Sequence, residues 1–336
     1  MVWLRRVLKG TLFAACMAIP LTAAAQEADS EYFRDKTLTY IVATNPGGGY
    51  DYYGRLMARY LPNYLPVARV IVRNVPGAGH IIGANTLSVA RPDGLTIGIF
   101  NTGLIYSQLL GAEGIRFDLA RLSWIGKMAG EGRSLIVTTA SGIDNMDELR
   151  ATDDLRLAAA GIGSAAYTET RILVRVLGLD ARLIPGFIGS EIELSMLRGE
   201  VHGTLSVTST QAPFVESGAA KYILAIAGER SGIEGVPQVR DYVSDPGDLR
   251  LLGLVETLAA MGRLTAGPPD IPAPILNALR AAFAAALNDP GLRAEAGRMQ
   301  VPVEPGSGED VARMIAVALD QPPETIALLR EAAEEY

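Results

Sequence analysis

The sequence predicts an α/β fold built as two hinged halves, one continuous half being inserted into a discontinuous other. Three observations carry this. Apolar, β-rich runs alternate with helical patterns along most of the chain, as in sheets covered by helices, expected here to be parallel. A length of 336 residues exceeds what one hydrophobic core usually organises. Two places read as crossings between halves: 124–132 (WIGKMAGEG) and 251–269 (LLGLVETLAAMGRLTAGPP), the latter ending in a Gly-Pro cluster. A middle segment entered and left once each assigns 37–127 plus 253–336 to one domain and 128–252 to the other. That is the layout of a two-crossing molecule that closes about a hinge.

The chain opens with a basic start (Arg5, Arg6, Lys9), an apolar run over 8–21 and Ala23-Ala24-Ala25 before Gln26. This reads as a cleavable export signal over 1–25, its apolar run too short for a comfortable membrane span. The only cysteine, Cys16, lies inside it, and acylation there is the weaker reading because Phe13 stands where a branched aliphatic is usual. Cleavage after Ala25 would leave a soluble periplasmic chain without cysteine, suited to an oxidising compartment. The formal charge of −7 becomes more negative once three basic residues leave with the signal, which argues against nucleic acid. With two histidines, His80 and His202, and no thiolate, neither a metal site nor a cofactor is expected.

Strands are expected at 38–43, 68–72, 95–100, 135–138, 155–160, 181–184, 203–207 and 222–227. Asn145 with Glu148, and Ser190 with Glu193, fit the capping-box spacing at helix starts. Gly178, Gly199 and Gly218 fall where a helix wants a left-handed terminal residue, and Asp289-Pro290 reads as an N-cap followed by proline at the first helical position. Beyond Pro272 the chain turns helical, with Ile275, Leu279, Phe283 and Leu287 as a stripe at spacing four.

The richest segment is NPGGGYD (45–51), set between an apolar strand and an amphipathic helix in which Tyr53, Leu56, Met57, Tyr60 and Leu61 recur at helical spacing. Such a junction leaves N–H groups unpaired at the helix start, and these, with the helix dipole, suit an anionic oxygen that glycine allows to approach. Comparable turns follow at 76–83 (PGAGHIIG), 161–169 (GIGSAAYTE) and 185–193 (PGFIGSEIE). In order and spacing these, with VRNVPGAGHIIGAN (72–85) and ARPDGLTIGIFNTG (90–103), resemble the Bug family, the periplasmic receptors of tripartite tricarboxylate transporters, over about 37–315.

The resemblance implies a two-domain, type II-like Venus-flytrap periplasmic binding protein. It would hold a small organic carboxylate and hand it to membrane permease subunits. The chain is expected to be monomeric. The candidate ligand-binding residues are Pro46, Gly48, Gly49, Tyr50, Asp51, Gly79, Asn101, Thr102, Gly163, Ser164, Ala165, Gly189, Ser190 and Thr208, and none is assigned a catalytic role. Several have a structural reading beside the functional one. Asp51 reads first as a helix N-cap, and Ser190 as a cap completed by Glu193. Ser164 is evenly balanced because Tyr167 stands three positions on. Tyr50 and Tyr52 could roof a pocket or pack in the core. His80 reads as packing or hydrogen-bonding locally. Arg171 could reach the cleft, although a solvated or paired arginine is commoner.

Two departures from the commoner family pattern matter. Phe187-Ile188-Gly189 stands where many members carry Tyr-Lys-Gly, and Tyr50 where many carry threonine. Both make the mouth more apolar and favour an aromatic or longer-chain monocarboxylate over a dicarboxylate. Two further readings compete. Gly161, Gly163 and Ala166, with Asp180 downstream, satisfy a weak dinucleotide-binding spacing, but an exported protein rarely meets soluble nicotinamide cofactor. Acyl transfer lacks a G-x-S-x-G elbow. A sensory module reporting ligand to a membrane partner would share the same sequence features.

Overall fold

The computed structural model describes residues 30–130, 132–187, 189–226 and 233–334. The expected signal (1–25), Cys16, Gln26, Glu131, Ile188 and Ala227 lie outside the described residues.

Along the chain, β1 (Thr37–Val42), α1 (Gly49–Tyr60), β2 (Arg69–Asn74), α2 (Ile81–Ser88), β3 (Thr96–Phe100), α3 (Gly103–Leu110) and β4 (Leu122–Lys127) come first. The middle holds β5 (Arg133–Thr138), α4 (Met146–Ala151), β6 (Leu155–Ala159), α5 (Ala165–Leu177), β7 (Ala181–Pro185), α6 (Glu191–Leu197), β8 (Gly203–Val207), α7 (Thr208–Glu216) and β9 (Ala220–Ile226). The chain ends with α8 (Pro246–Met261), β10 (Leu264–Pro269), α9 (Ala273–Leu287), α10 (Pro290–Arg298), β11 (Gly306–Ser307), α11 (Gly308–Leu319) and α12 (Pro323–Glu334).

These strands form two separate sheets, ordered β11-β4-β10-β3-β1-β2 and β7-β6-β8-β5-β9. The sheets are mixed, which corrects the parallel expectation. β1 lies parallel between β2 and β3, and β6 parallel between β7 and β8. By contrast β10 runs antiparallel to β3 and β4, and β5 antiparallel to β8 and β9. Each of these reversed strands is the first after a crossing, so it enters its sheet from the opposite end.

β4 overlaps the first, and β10 lies inside the second, of the two stretches that the sequence marked only as crossings. Gly267, Pro268 and Pro269 signal a break there. Register shifts at Thr265/Ala266 and Gly267/Pro269 let β10 carry them beside β4, irregularities being where a sheet tolerates proline. The crossings themselves touch: Met128 N–H donates to Arg263 O at 3.0 Å, and Arg263 N–H to Ala129 O at 2.9 Å. Gly262 between them has φ +57°, and a Cβ there would lie 1.9 Å from Ala129 O, so only glycine fits.

Side-chain periodicity explains the layers. α1 buries Tyr53, Leu56 and Met57 at helical spacing against Leu38, Tyr40 and Val42 of β1, while Arg55 pairs outward with Asp51 one turn earlier. α9 presents Leu279, Phe283 and Leu287 to the same core as its stripe requires. Each such side chain contributes about 1.5–3 kcal/mol by leaving water. A second core runs from Ile105 and Tyr106 of α3 through Ile172 and Leu173 of α5 to Leu251 and Leu258 of α8. It therefore joins helices that cover both sheets, and α12 closes it by packing on α5 and α8. A third, smaller core (Ile136, Ala158, Met196, Phe214) lies on the other face of the second sheet.

Candidate functional site

The loops after β1, β2, β3, β6, β7 and β8 converge on one cleft of about 810 Å³. Carboxyl ends of strands are where open α/β sheets place ligands, because loops there feed helix starts.

On the first sheet's side the wall is mostly main chain. Residues 43–50 line it, with Pro76, Gly77, Gly79, His80 and Asn101. Gly48 is the N-cap of α1 and has no side chain to offer, so the first turn of this helix faces the cleft with N–H groups that lack intrahelical partners. Behind it, Arg263 stacks on the rings of Tyr50 and Tyr53, its guanidinium carbon 4.6 Å from each centroid. A Cβ at Gly49 would sit 3.1 Å and 3.3 Å from the Arg263 Nη atoms. The Thr44 hydroxyl also lines this wall, buried and, among the described residues, without a hydrogen-bond partner.

His80 fixes the geometry of the adjoining turn. Its ring packs edge-on against Tyr50 at 5.0 Å, and Nδ1 accepts the Asn101 N–H at 3.2 Å. Burial, reinforced by the Arg263 charge, pushes its pKa down to about 3, so the ring is neutral at physiological pH. Asn101 Oδ1 in turn accepts the Gly103 N–H at 2.8 Å, which orients the start of α3.

The second sheet supplies side chains. Arg133, at the start of β5, lines the cleft and is clamped by Glu169 of α5, with Nε at 2.6 Å and Nη2 at 3.3 Å from its carboxylate oxygens. Glu169 is 0% exposed, so this is a buried pair. Gln211 Oε1 accepts the Ser134 hydroxyl at 2.5 Å and its Nε2 donates to Thr204 O, which holds the amide at the floor. Ser206, Thr210 and Glu193 add polar atoms, while Ile136, Ile162, Phe187, Ile192 and Met196 form an apolar face.

The two walls meet at one edge. Gly79 has φ +59°, and a Cβ there would lie 2.4 Å from the Gly163 carbonyl. At Gly103 a Cβ would lie 2.7 Å from Ala165 N. Glycine at both positions lets the main chains approach directly.

Of the candidate residues, Pro46, Gly48, Gly49, Tyr50, Gly79, Asn101, Ser164, Ala165, Gly189 and Ser190 line the cleft, whereas Asp51, Thr102, Gly163 and Thr208 do not. Asp51 is not the N-cap either. Its carboxylate accepts from Gly47 N–H, Arg55 Nε and Asn74 Nδ2, each at 2.9 Å. Burial raises its pKa, but these hydrogen bonds outweigh burial and hold the carboxyl below its ordinary value. Thr102 and Thr208 are buried. Gly163 is taken up by its contact with Gly79. Tyr52 packs toward the α1 core rather than over the pocket. Arg171 turns away: its Nε donates to Ala332 O at 3.0 Å and ties α5 to α12.

The evenly balanced serine is the cap, and the serine expected to cap is not. Ser164 caps α5, its hydroxyl accepting the Tyr167 N–H at 3.2 Å. Ser190 sits at the start of α6 in a helical conformation with no side-chain cap, and Glu193 lies along the cleft instead of closing a capping box. Arg133, Arg263, Gln211 and Thr44 were not read from the sequence. Arg133 left one signal, a charge opening the apolar strand RSLIVT.

Two mixed sheets joined by two crossings, with a ligand-sized cleft between their loop ends, define the fold of a periplasmic solute-binding protein. The chain belongs to a family of transport receptors: the description "Tripartite tricarboxylate transporter family receptor" matches residues 55–329. It is 25% identical over 242 residues to the UPF0065 protein in the gbd 5'region of Cupriavidus necator, covering 70% of this chain and 73% of that one. It is 24% identical to a UPF0065 protein of Bordetella bronchiseptica, covering 91% and 88%. Among solved structures it resembles the periplasmic binding protein BugD, with a TM-score of 0.72, 20% identity and 89% and 98% of the two chains covered. It also resembles MatC from Rhodopseudomonas palustris with bound malate (TM-score 0.69, 20% identity, 89% and 99% covered). An R. palustris protein with adipate gives TM-score 0.70, 18% identity and 89% and 97% covered. Among the described residues no helix is long and apolar enough to cross a membrane.

Proposed function

We propose that the protein captures a small organic carboxylate in the periplasm and delivers it to the membrane permease subunits of a tripartite tricarboxylate-type transporter. In this reading 37–127 with 253–336 and 128–252 act as lobes that close on the ligand, and the protein binds without transforming it. The observation that carries the reading is the convergence of glycine turns and helix starts from both sheets on one cleft. The malate and adipate of two structural neighbours support the ligand class. The basic, apolar and Ala-Ala-Ala segments of 1–25 support export.

The energetics set a requirement. A helix start contributes about 0.3–1 kcal/mol at an exposed site and up to ~2 when partly buried. Micromolar affinity needs roughly 8 kcal/mol, so several directed hydrogen bonds and burial of an apolar ligand body must supply the remainder.

A thermal-shift screen of the chain from Gln26 against mono-, di- and tricarboxylates tests the reading. A ligand at 100 times its Kd should add about 2.7 kcal/mol of stability. Gly49→Ala, which would push Arg263 off its seat beside the helix start, should weaken the best ligand more than Arg171→Ala, whose effect should be on stability. The absence of any stabilising carboxylate would overturn the ligand class. Loss of binding in Arg171→Ala alone would overturn the site.

A further inference from the structure

The cleft carries a charge that a plain carboxylate receptor would not want. Among its described lining residues the ionisable groups are Arg133, Glu193 and the neutral His80. Arg133 is neutralised by Glu169. Glu193, half-buried on α6, has no hydrogen-bond or ion-pair partner among the described residues, and it does not serve the helix start that its spacing from Ser190 suggested. The lining therefore leaves one uncompensated negative charge, on the second sheet's side. The opposite wall has the reverse character, because the α1 start and the Arg263 guanidinium behind it put positive potential at Gly47–Gly49.

Resting on the carboxylate reading above, we propose that the ligand is an amino-carboxylate, a zwitterion rather than a di- or tricarboxylate. Its carboxylate meets the glycine turn at the start of α1, and its ammonium meets Glu193. An ammonium satisfies a partly desolvated carboxylate through charge-assisted hydrogen bonds, whereas a second carboxylate there would face like charge in a confined space. In the same lining, Ile136, Ile162, Phe187, Ile192 and Met196 offer an apolar bed for a hydrocarbon body. Glu193 is thus the residue that sets specificity, by attraction to the amine and repulsion of a second acid.

The test uses matched probes on the chain from Gln26: hexanoate, adipate, hexylamine, 6-aminohexanoate and the α-amino acid norleucine, each titrated calorimetrically. One of the two amino-carboxylates should bind at least tenfold tighter than hexanoate and adipate, and hexylamine should not bind. Glu193→Gln should lower affinity for that amino-carboxylate at least tenfold and bring its Kd to within threefold of hexanoate. Glu193→Lys should reverse the ranking in favour of adipate, with circular dichroism confirming that both variants fold. Adipate or hexanoate binding as tightly as the better of the two amino-carboxylates, or a ranking unmoved by Glu193→Gln, would overturn the inference and leave the carboxylate reading standing. Hexylamine binding as well as the amino-carboxylates, or no probe binding at all, would overturn both.

Discussion

The wall on the first sheet's side is made of backbone: Gly47, Gly48 and Gly49 open α1, and its charge, Arg263, is held out of the lining behind Tyr50. The wall on the second sheet's side is made of side chains, with Arg133, Gln211, Thr210 and Glu193 reaching the cavity from β5, α7 and α6. The two walls differ in what holds them. A main-chain wall is fixed by the path of the chain and changes little when a single side chain is replaced. A side-chain wall depends on partners such as Glu169, and its charge depends on which of those partners are present. Recognition of a feature common to many ligands belongs on the first wall, and discrimination among ligands on the second.

The largest effect should come from breaking the support of the second wall. Glu169→Ala leaves the Arg133 guanidinium buried without its carboxylate, and loss of one partner of a buried pair costs about 3–5 kcal/mol. Urea denaturation should show this loss. Glu193→Gln, at a carboxylate with no protein partner among the described residues, should move stability by under about 0.5 kcal/mol. Equal losses would mean that the two carboxylates do the same work.

Next is the pH dependence of the first wall. His80 is held neutral, with its pKa lowered to about 3. Below pH 6.5 the unfolded chain binds a proton that the native ring refuses until about pH 3. Stability from this group is therefore complete above pH 6.5 and falls as pH drops toward 3, by up to about 1.36 kcal/mol per pH unit. His80→Asn suits the left-handed backbone here (φ +82°). It should show a shallower fall of the unfolding midpoint between pH 6.5 and 4. An unchanged slope would place the proton uptake elsewhere.

The smallest effect separates the two serines. Ser164→Ala removes the α5 cap and should cost about 1 kcal/mol, while Ser190→Ala, which removes no cap, should stay within about 0.5 kcal/mol. Equal costs in chemical denaturation would contradict the assignment of only Ser164 as a cap.

The same contrast explains what the sequence made legible. NPGGGYD, PGAG and GIGS announce backbone geometry locally, so the glycine turns and most strands could be read from short windows. The α9 stripe and the Asp289 cap are likewise local and are present as expected. The pairing of Arg133 with Glu169 spans 36 positions and exists only once α5 packs on the second sheet. Arg263 reaches Tyr50 only because β10 returns to the first sheet, and the Gly-Pro residues of β10 hid that return. Capping-box spacing placed Ser190 and Glu193 in a local role. The cleft competes for Glu193, and no window of sequence shows which demand wins.

The central claim is that one small carboxylate contacts both walls at once. Backbone amide NMR of ¹⁵N-labelled protein tests it most directly, with the tightest carboxylate from the thermal screen titrated to saturation. The account predicts that the amides of Gly48 and Gly49 and those of Ala165 and Ala166 move together, with a single Kd equal to the calorimetric one. Saturation that moves the amides of only one wall, or of neither, would contradict it.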